Sequence, residues 1–157
     1  MSYSRLFYHL VWPTKNHQPL ITPNIEKELF RYMIKKSEQL GVRILEINGT
    51  ENHIHIIIEI PPKLSIAEVV HRLKGSSSHE FSELYWAVGY GAFRVSERNL
   101  YAAINYVHNQ KVHHNNDKTI KYYEYSDQEE TQEHSIKEYQ DSFVTDELDF
   151  LNIKRNL

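Results

Sequence analysis

The sequence predicts an α+β domain of ferredoxin-like (RRM-like) class. This is an antiparallel sheet built in the order β-α-β-β-α-β with helices on one face, followed by one more helix toward the C-terminus. Three observations point there. Short runs rich in branched and aromatic residues alternate with stretches of helical periodicity. Each helical stretch opens on a hydroxyl cap. The two central strands are joined by a turn of about three residues, which makes them antiparallel neighbours.

Residues 4–12, "SRLFYHLVW", read as the first strand, and the polar "PTKNHQPLI" follows as a loop. Thr22-Pro23 starts a helix, with a hydroxyl at the cap and proline in the first turn. Ile25, Leu29, Met33 and Leu40 recur near helical spacing, and Gly41 supplies the stop, so this helix covers Pro23 to Leu40. "VRILEIN" is the second strand and Gly49-Thr50-Glu51 the turn. "NHIHIIIEI", residues 52–60, is the third strand, ended by Pro61-Pro62. Ser65-Ile66-Ala67-Glu68 forms a capping box for a second helix through Ala67, Val70 and Leu73, which runs out in "KGSSS". "GYGAFRVS" is the fourth strand, and Ser96 caps a third helix, "ERNLYAAINYVHNQKVHH".

Composition narrows the chemistry. The 157 residues include no cysteine, which excludes disulfides, thiolate metal sites and a cysteine nucleophile. The net charge of −3 conceals an asymmetry. Residues 1–121 carry 15 Lys+Arg against 11 Asp+Glu, whereas residues 122–157 carry 3 against 10. A mildly basic body with an acidic tail is compatible with phosphate binding without requiring it. The expected organisation is a catalytic domain over residues 1–116, with its third helix near 96–115, and an acidic extension over 117–157 that carries a final helix. The opening residues lack the apolar run of a signal peptide, and no apolar stretch approaches the ~20 residues that span a bilayer. A soluble cytoplasmic protein with no membrane association is expected.

The chemistry begins in the third strand. Side chains alternate along a strand, so Ile54, Ile56, Ile58 and Ile60 share one face, and His53, His55, Ile57 and Glu59 share the other. Taken alone, a His-x-His pair is more often hydrogen-bonded strand packing than a ligand set. The isoleucine face belongs under the two helices, which leaves the imidazoles on the open face. On the third helix the apolar stripe is Leu100, Ala103, Ile104 and Val107, with Tyr106 and Gln110 one turn apart on its flank. If that helix lies along the open face, Tyr106 and Gln110 approach His53 and His55. Two imidazoles and an amide oxygen suit Mg²⁺ or Mn²⁺ with waters completing the shell, and a tyrosine one turn away is a candidate nucleophile toward a phosphodiester. Other residues have uses in binding a phosphate or a base that compete with plainer ones. Lys74 and Ser76 stand where the second helix runs out, and Arg94 and Lys111 are candidates for backbone phosphate. Trp86 is a candidate platform for an unpaired base.

These segments together resemble the single-tyrosine HUH transposases of bacterial and archaeal insertion sequences, including the REP-associated tyrosine transposases. His53-Ile54-His55 matches the HUH motif. Tyr106-Val107-His108-Asn109-Gln110 matches the tyrosine-aliphatic-any-Asn-Gln helix motif. "FYHLVWPTKNHQPLI", "LKGSSS" and "GYGAFRVS" match further family segments in the same order. The resemblance covers roughly residues 4–114. Two departures stand out: the acidic, aromatic stretch "DKTIKYYEYSDQEETQEH", and Arg94 where relatives often carry a small polar residue.

The resemblance implies a homodimer that recognises hairpins in single-stranded DNA. Tyr106 would attack the scissile phosphate to give a 5′-phosphotyrosine and a free 3′-hydroxyl. His53, His55 and Gln110 would hold the metal, with the tyrosine helix able to complete the partner subunit's site. Two rival functions are a domesticated, non-catalytic hairpin-binding protein and a small His-x-His metal hydrolase that uses water as its nucleophile.

Overall fold

The computed structural model describes residues 4–111. In chain order the elements are β1 (Phe7–Pro13), α1 (Pro23–Leu40), β2 (Arg43–Gly49), β3 (His53–Glu59), α2 (Ile66–Glu80), β4 (Gly91–Val95) and α3 (Leu100–His108). Short 3-10 turns occupy Lys15–His17 and Glu97–Asn99. All strand pairs are antiparallel and the sheet order is β2-β3-β1-β4, the expected ferredoxin-like arrangement. No described helix is long and apolar enough to cross a membrane. The proposed boundary at residue 116, the acidic extension and the final helix lie outside the described residues.

The alternation of β3 organises both layers. Ile54, Ile56, Ile58 and Ile60 meet Leu29 and Met33 of α1 and Val69, Val70 and Leu73 of α2 in the main core. Each buried isoleucine contributes roughly 1.5–3 kcal/mol by leaving water. Ile57 faces the other way, into a smaller cluster with Phe7, Val95, Ala103, Tyr106 and Val107. α3 therefore covers the face of the sheet opposite α1 and α2.

Local chemistry sets the ends of the elements. α1 starts at Pro23 and stops at Gly41, which takes the left-handed conformation (φ 78°) and donates its N–H to the carbonyls of Glu38 and Ser37. Ser65 Oγ accepts the Glu68 N–H at the start of α2, as the capping box requires. α2 does not run out at "KGSSS"; it continues to Glu80. The hydroxyls of Ser76, Ser77 and Ser78 turn back onto carbonyls three or four residues earlier, which lets a serine run stay helical. The third helix was expected to start directly after Ser96; it begins instead with the 3-10 turn, whose Asn99 N–H is accepted by Ser96 Oγ. In β2 the register shifts between Ile44 and Glu46, which brings Ile44 and Ile47, three residues apart, to the same core.

The β2–β3 hairpin holds the histidines in position. Gly49 pairs with Ile54, and a Cβ at Gly49 would lie 2.3 Å from the His53 carbonyl oxygen and 2.9 Å from Ile54 Cα. Both obstacles are backbone, so they cannot rotate away. The tip is also tied to the loop after β1, with Thr14 N–H donating to Asn52 O and Ile21 N–H to Glu51 O. Gly49→Ala is expected to destabilise the fold by about 1–3 kcal/mol through backbone displacement. Chemical denaturation of the two proteins checks this, and an unchanged midpoint would contradict the close approach.

Candidate active site

The site is assembled where α3 crosses the open face of β1 and β3. His53 and His55 follow each other on that face, with ring centroids 5.1 Å apart, and both are buried. Tyr106 is only 4% exposed, and its ring centroid lies 6.4 Å from that of His55. Gln110 stands one helical turn beyond Tyr106 and is 2% exposed. Its Oε1 is buried without a hydrogen-bond partner among the described residues. A buried amide oxygen left in that state normally costs about 1–3 kcal/mol, which a donor or cation reaching it would offset.

The histidines are held from behind. His53 Nδ1 lies 2.7 Å from Asn52 Oδ1 and 3.0 Å from Thr50 Oγ1, both in the hairpin turn. His55 Nδ1 lies 2.9 Å from Nε2 of His9. His9 comes from β1 and is completely buried, with the rings of Phe93 and Tyr106 at 6.3 and 6.2 Å. His9 lies outside the residues expected to form the site. The available signal was an imidazole at the alternate position between Phe7 and Val11, in a strand otherwise apolar on that face.

Two imidazoles and an amide oxygen are donors that a divalent cation can use, with water completing its shell. Among the described residues no group of three His, Cys, Asp or Glu side chains could hold a metal. A cation held by His53 and His55 therefore needs a donor of another type, and Gln110 Oε1 is one. Three protein donors leave positions for water or substrate.

The residues considered for DNA contact are dispersed. Lys74 lies inside α2, not at its end, and its Nζ donates to the carbonyls of Ala87 (2.6 Å) and Gly89 (2.8 Å). Its partial burial lowers the ammonium below the ordinary lysine value. The Trp86 indole stands edge-on to Trp12 and donates to Ser77 Oγ, and Ser76 Oγ donates to the Leu73 carbonyl. Lys111 Nζ donates to Glu26 Oε1 and Asn48 Oδ1, both at 2.8 Å. Arg94 is exposed on the edge strand β4, opposite Tyr8. Lys74 and Trp86 instead line an open cleft of about 970 Å³ away from the histidines, together with Lys15, His71, Tyr85 and Tyr90. His113 and His114 lie outside the described residues.

Burial pushes the His9 imidazole down from 6.5 to about 3, so the folded chain holds it neutral. The unfolded chain takes up this proton below about pH 6.5, and the folded chain only near pH 3. The stability that depends on neutral His9 is therefore complete above the unfolded value and is lost as the pH falls toward 3. Between about pH 7 and about pH 4, the native protein should lose on the order of 3 kcal/mol more stability than His9→Gln, which cannot titrate. Denaturant melts of both proteins at the two pH values measure the difference, and parallel losses would contradict it.

The chain is similar to several known proteins. The family described as "Transposase IS200 like" matches residues 2–110. The transposase for insertion sequence element IS200 of Salmonella typhimurium is 32% identical over 95 residues, which is 53% of this chain. The match spans 62% of that relative's length. The ISDra2 transposase TnpA of Deinococcus radiodurans is 22% identical over 118 residues, covering 68% of this chain and 84% of the relative. Among solved structures, a REP-associated tyrosine transposase bound to a REP hairpin superposes with a TM-score of 0.59 at 13% identity, covering 73% of this chain and 72% of that one. With that family's model matched over residues 2–110, this chain belongs to the IS200-like transposase family.

Proposed function

We propose that this chain is a DNA transposase that cuts and rejoins single-stranded DNA at hairpin-marked ends, with Tyr106 as nucleophile and with Mg²⁺ or Mn²⁺ held by His53, His55 and Gln110. The observation that carries the reading is the meeting of a buried phenol with a two-histidine face, one turn from a buried amide oxygen that lacks a partner among the described residues. Family membership supports the transposition chemistry. The hairpin substrate is extended to this chain from the structural relative captured with one. A homodimer is part of the same proposal, and so is a site in which the tyrosine helix serves either its own subunit or its partner.

The reaction assigns definite tasks to these residues. The Tyr106 oxygen forms a bond to the scissile phosphorus as its proton passes to water. The phosphorus–O3′ bond breaks, and its electron pair leaves with the 3′-oxygen, which takes up a proton. The products are a 5′-phosphotyrosine and a 3′-hydroxyl. The phosphoester energy is kept in the protein linkage, so attack by a 3′-hydroxyl reverses the step and rejoins a strand. The bound cation would supply charge stabilisation at the phosphate oxygens. His53 and His55, fixed by the hairpin and by His9, hold their donors in place without reorganisation. The cleft carrying the exposed rings of Tyr85 and Tyr90 is suited to unpaired bases, with Lys74 pinning the loop that leads to Tyr90.

Incubation with single-stranded palindromic DNA and Mn²⁺, followed by a denaturing gel, is expected to show a covalent protein–DNA band. Tyr106→Phe should abolish that band while hairpin binding persists. An adduct in the mutant would remove Tyr106 as nucleophile. Binding with no adduct in the native protein would favour a non-catalytic hairpin binder, and turnover without linkage a hydrolase. Separately, Gln110→Ala is expected to weaken Mn²⁺ binding by at least about ten-fold, the lower end of what even an outer partner of a ligand contributes. Titration followed by electron paramagnetic resonance measures this, and unchanged affinity would remove Gln110 from the donor set.

A further inference from the structure

His55 Nδ1 and His9 Nε2 face each other at 2.9 Å, and both rings are fully buried. Two neutral imidazoles in this arrangement share one proton, which has two possible homes. If His55 Nδ1 carries it, His9 Nε2 accepts through its lone pair, and His55 keeps a lone pair on Nε2. If His9 Nε2 carries it, His55 Nδ1 is the acceptor and the single proton of neutral His55 sits on Nε2. That second tautomer cannot bind a cation through Nε2.

The neighbouring histidine has no such choice. His53 Nδ1 lies against Asn52 Oδ1, an amide oxygen that can only accept and that also receives the Thr50 hydroxyl. His53 therefore carries its proton on Nδ1 and presents the Nε2 lone pair.

We propose that His9 is a positioning residue for the cation site. By accepting from His55 Nδ1–H, it fixes the tautomer in which Nε2 is a ligand, as Asn52 does for His53. The proposal rests on the reading of His53, His55 and Gln110 as cation donors. Strand register explains how His9 comes to be there. Val11 is directly opposite His55 and His9 opposite Ile57, so His9 and His55 are diagonal neighbours on one sheet face. Phe93 and Tyr106 close around the ring. An imidazole buried in this apolar strand needs a polar partner, and His55 is one. Partners behind a metal-bound histidine set its tautomer and ring orientation.

The experiment combines ¹⁵N-imidazole NMR of the metal-free full chain near neutral pH with Mn²⁺ affinity measured by electron paramagnetic resonance. The native protein is expected to show His55 protonated at Nδ1 and bare at Nε2. His9→Phe should lose that preference and bind Mn²⁺ about ten- to a hundred-fold more weakly. His9→Gln, whose amide oxygen can accept from Nδ1–H, should recover most of both signals, which a merely space-filling role would not produce. A native His55 that carries its proton on Nε2 would overturn the proposal, and so would a folded His9→Phe that binds Mn²⁺ like the native protein. If His9→Phe does not fold, the native tautomer and the His9→Gln affinity decide. His53→Ala separates the two layers of argument. If it abolishes Mn²⁺ binding while folded His9→Phe does not, only the role of His9 falls. If it too leaves Mn²⁺ binding unchanged, the donor set itself falls, and His9 with it.

Discussion

Strand β3 is buried on both sides, and the molecule is arranged around that demand. A central strand between two helical layers has no solvent-facing row on which to place polar side chains. Its isoleucine face meets that condition by packing under α1 and α2. Its other face carries two imidazoles, and imidazoles are costly to bury unless each ring nitrogen has a use. The hairpin turn and His9 supply partners for the Nδ1 atoms. α3 roofs the same face, with Ala103 and Val107 beside Tyr106. The candidate site is thus a polar seam inside a second, smaller core, and its donors are rigid because they are packed.

Much of this was legible in the residues. The bounds of α1 follow from Thr22-Pro23 at one end and Gly41 at the other. The division of β3 into two faces follows from alternation alone. The helical stripe Leu100, Ala103, Ile104 and Val107 correctly implied that Tyr106 would turn inward, since a residue on the flank of a buried stripe is drawn toward whatever the stripe covers. Local rules work here because caps, alternation and helical spacing each depend on only a few neighbouring residues.

What could not be read depends on non-local register. His9 meets His55 only because β1 pairs with β3 at one particular offset, and no local pattern specifies that offset. The two carbonyls that hold Lys74 come from a loop more than a dozen residues away. Trp86 reads as an aromatic free to stack, yet in the fold it leans on Trp12 and Ser77. The serine run after Leu73 looks like a helix end by propensity, and back-bonding hydroxyls together with tertiary packing carry the helix through it. Lys74, Ser76 and Trp86, whose types suggested ligand contacts, are each engaged by the fold itself.

The fastening of α3 on its outer side has a further consequence. Asn48 Nδ2 donates to the His108 carbonyl, the His108 ring stands 3.4 Å from Glu46, and Lys111 reaches Glu26 and Asn48. These are solvent-exposed or half-exposed ties, each worth about 0–1 kcal/mol and weakened by ions. Tyr106 is only 4% exposed, so its phenol meets solvent only when this helix shifts, and the ties oppose that shift. Added electrolyte weakens these ties and so favours that shift. Ionic strength therefore bears on how readily the buried phenol is uncovered.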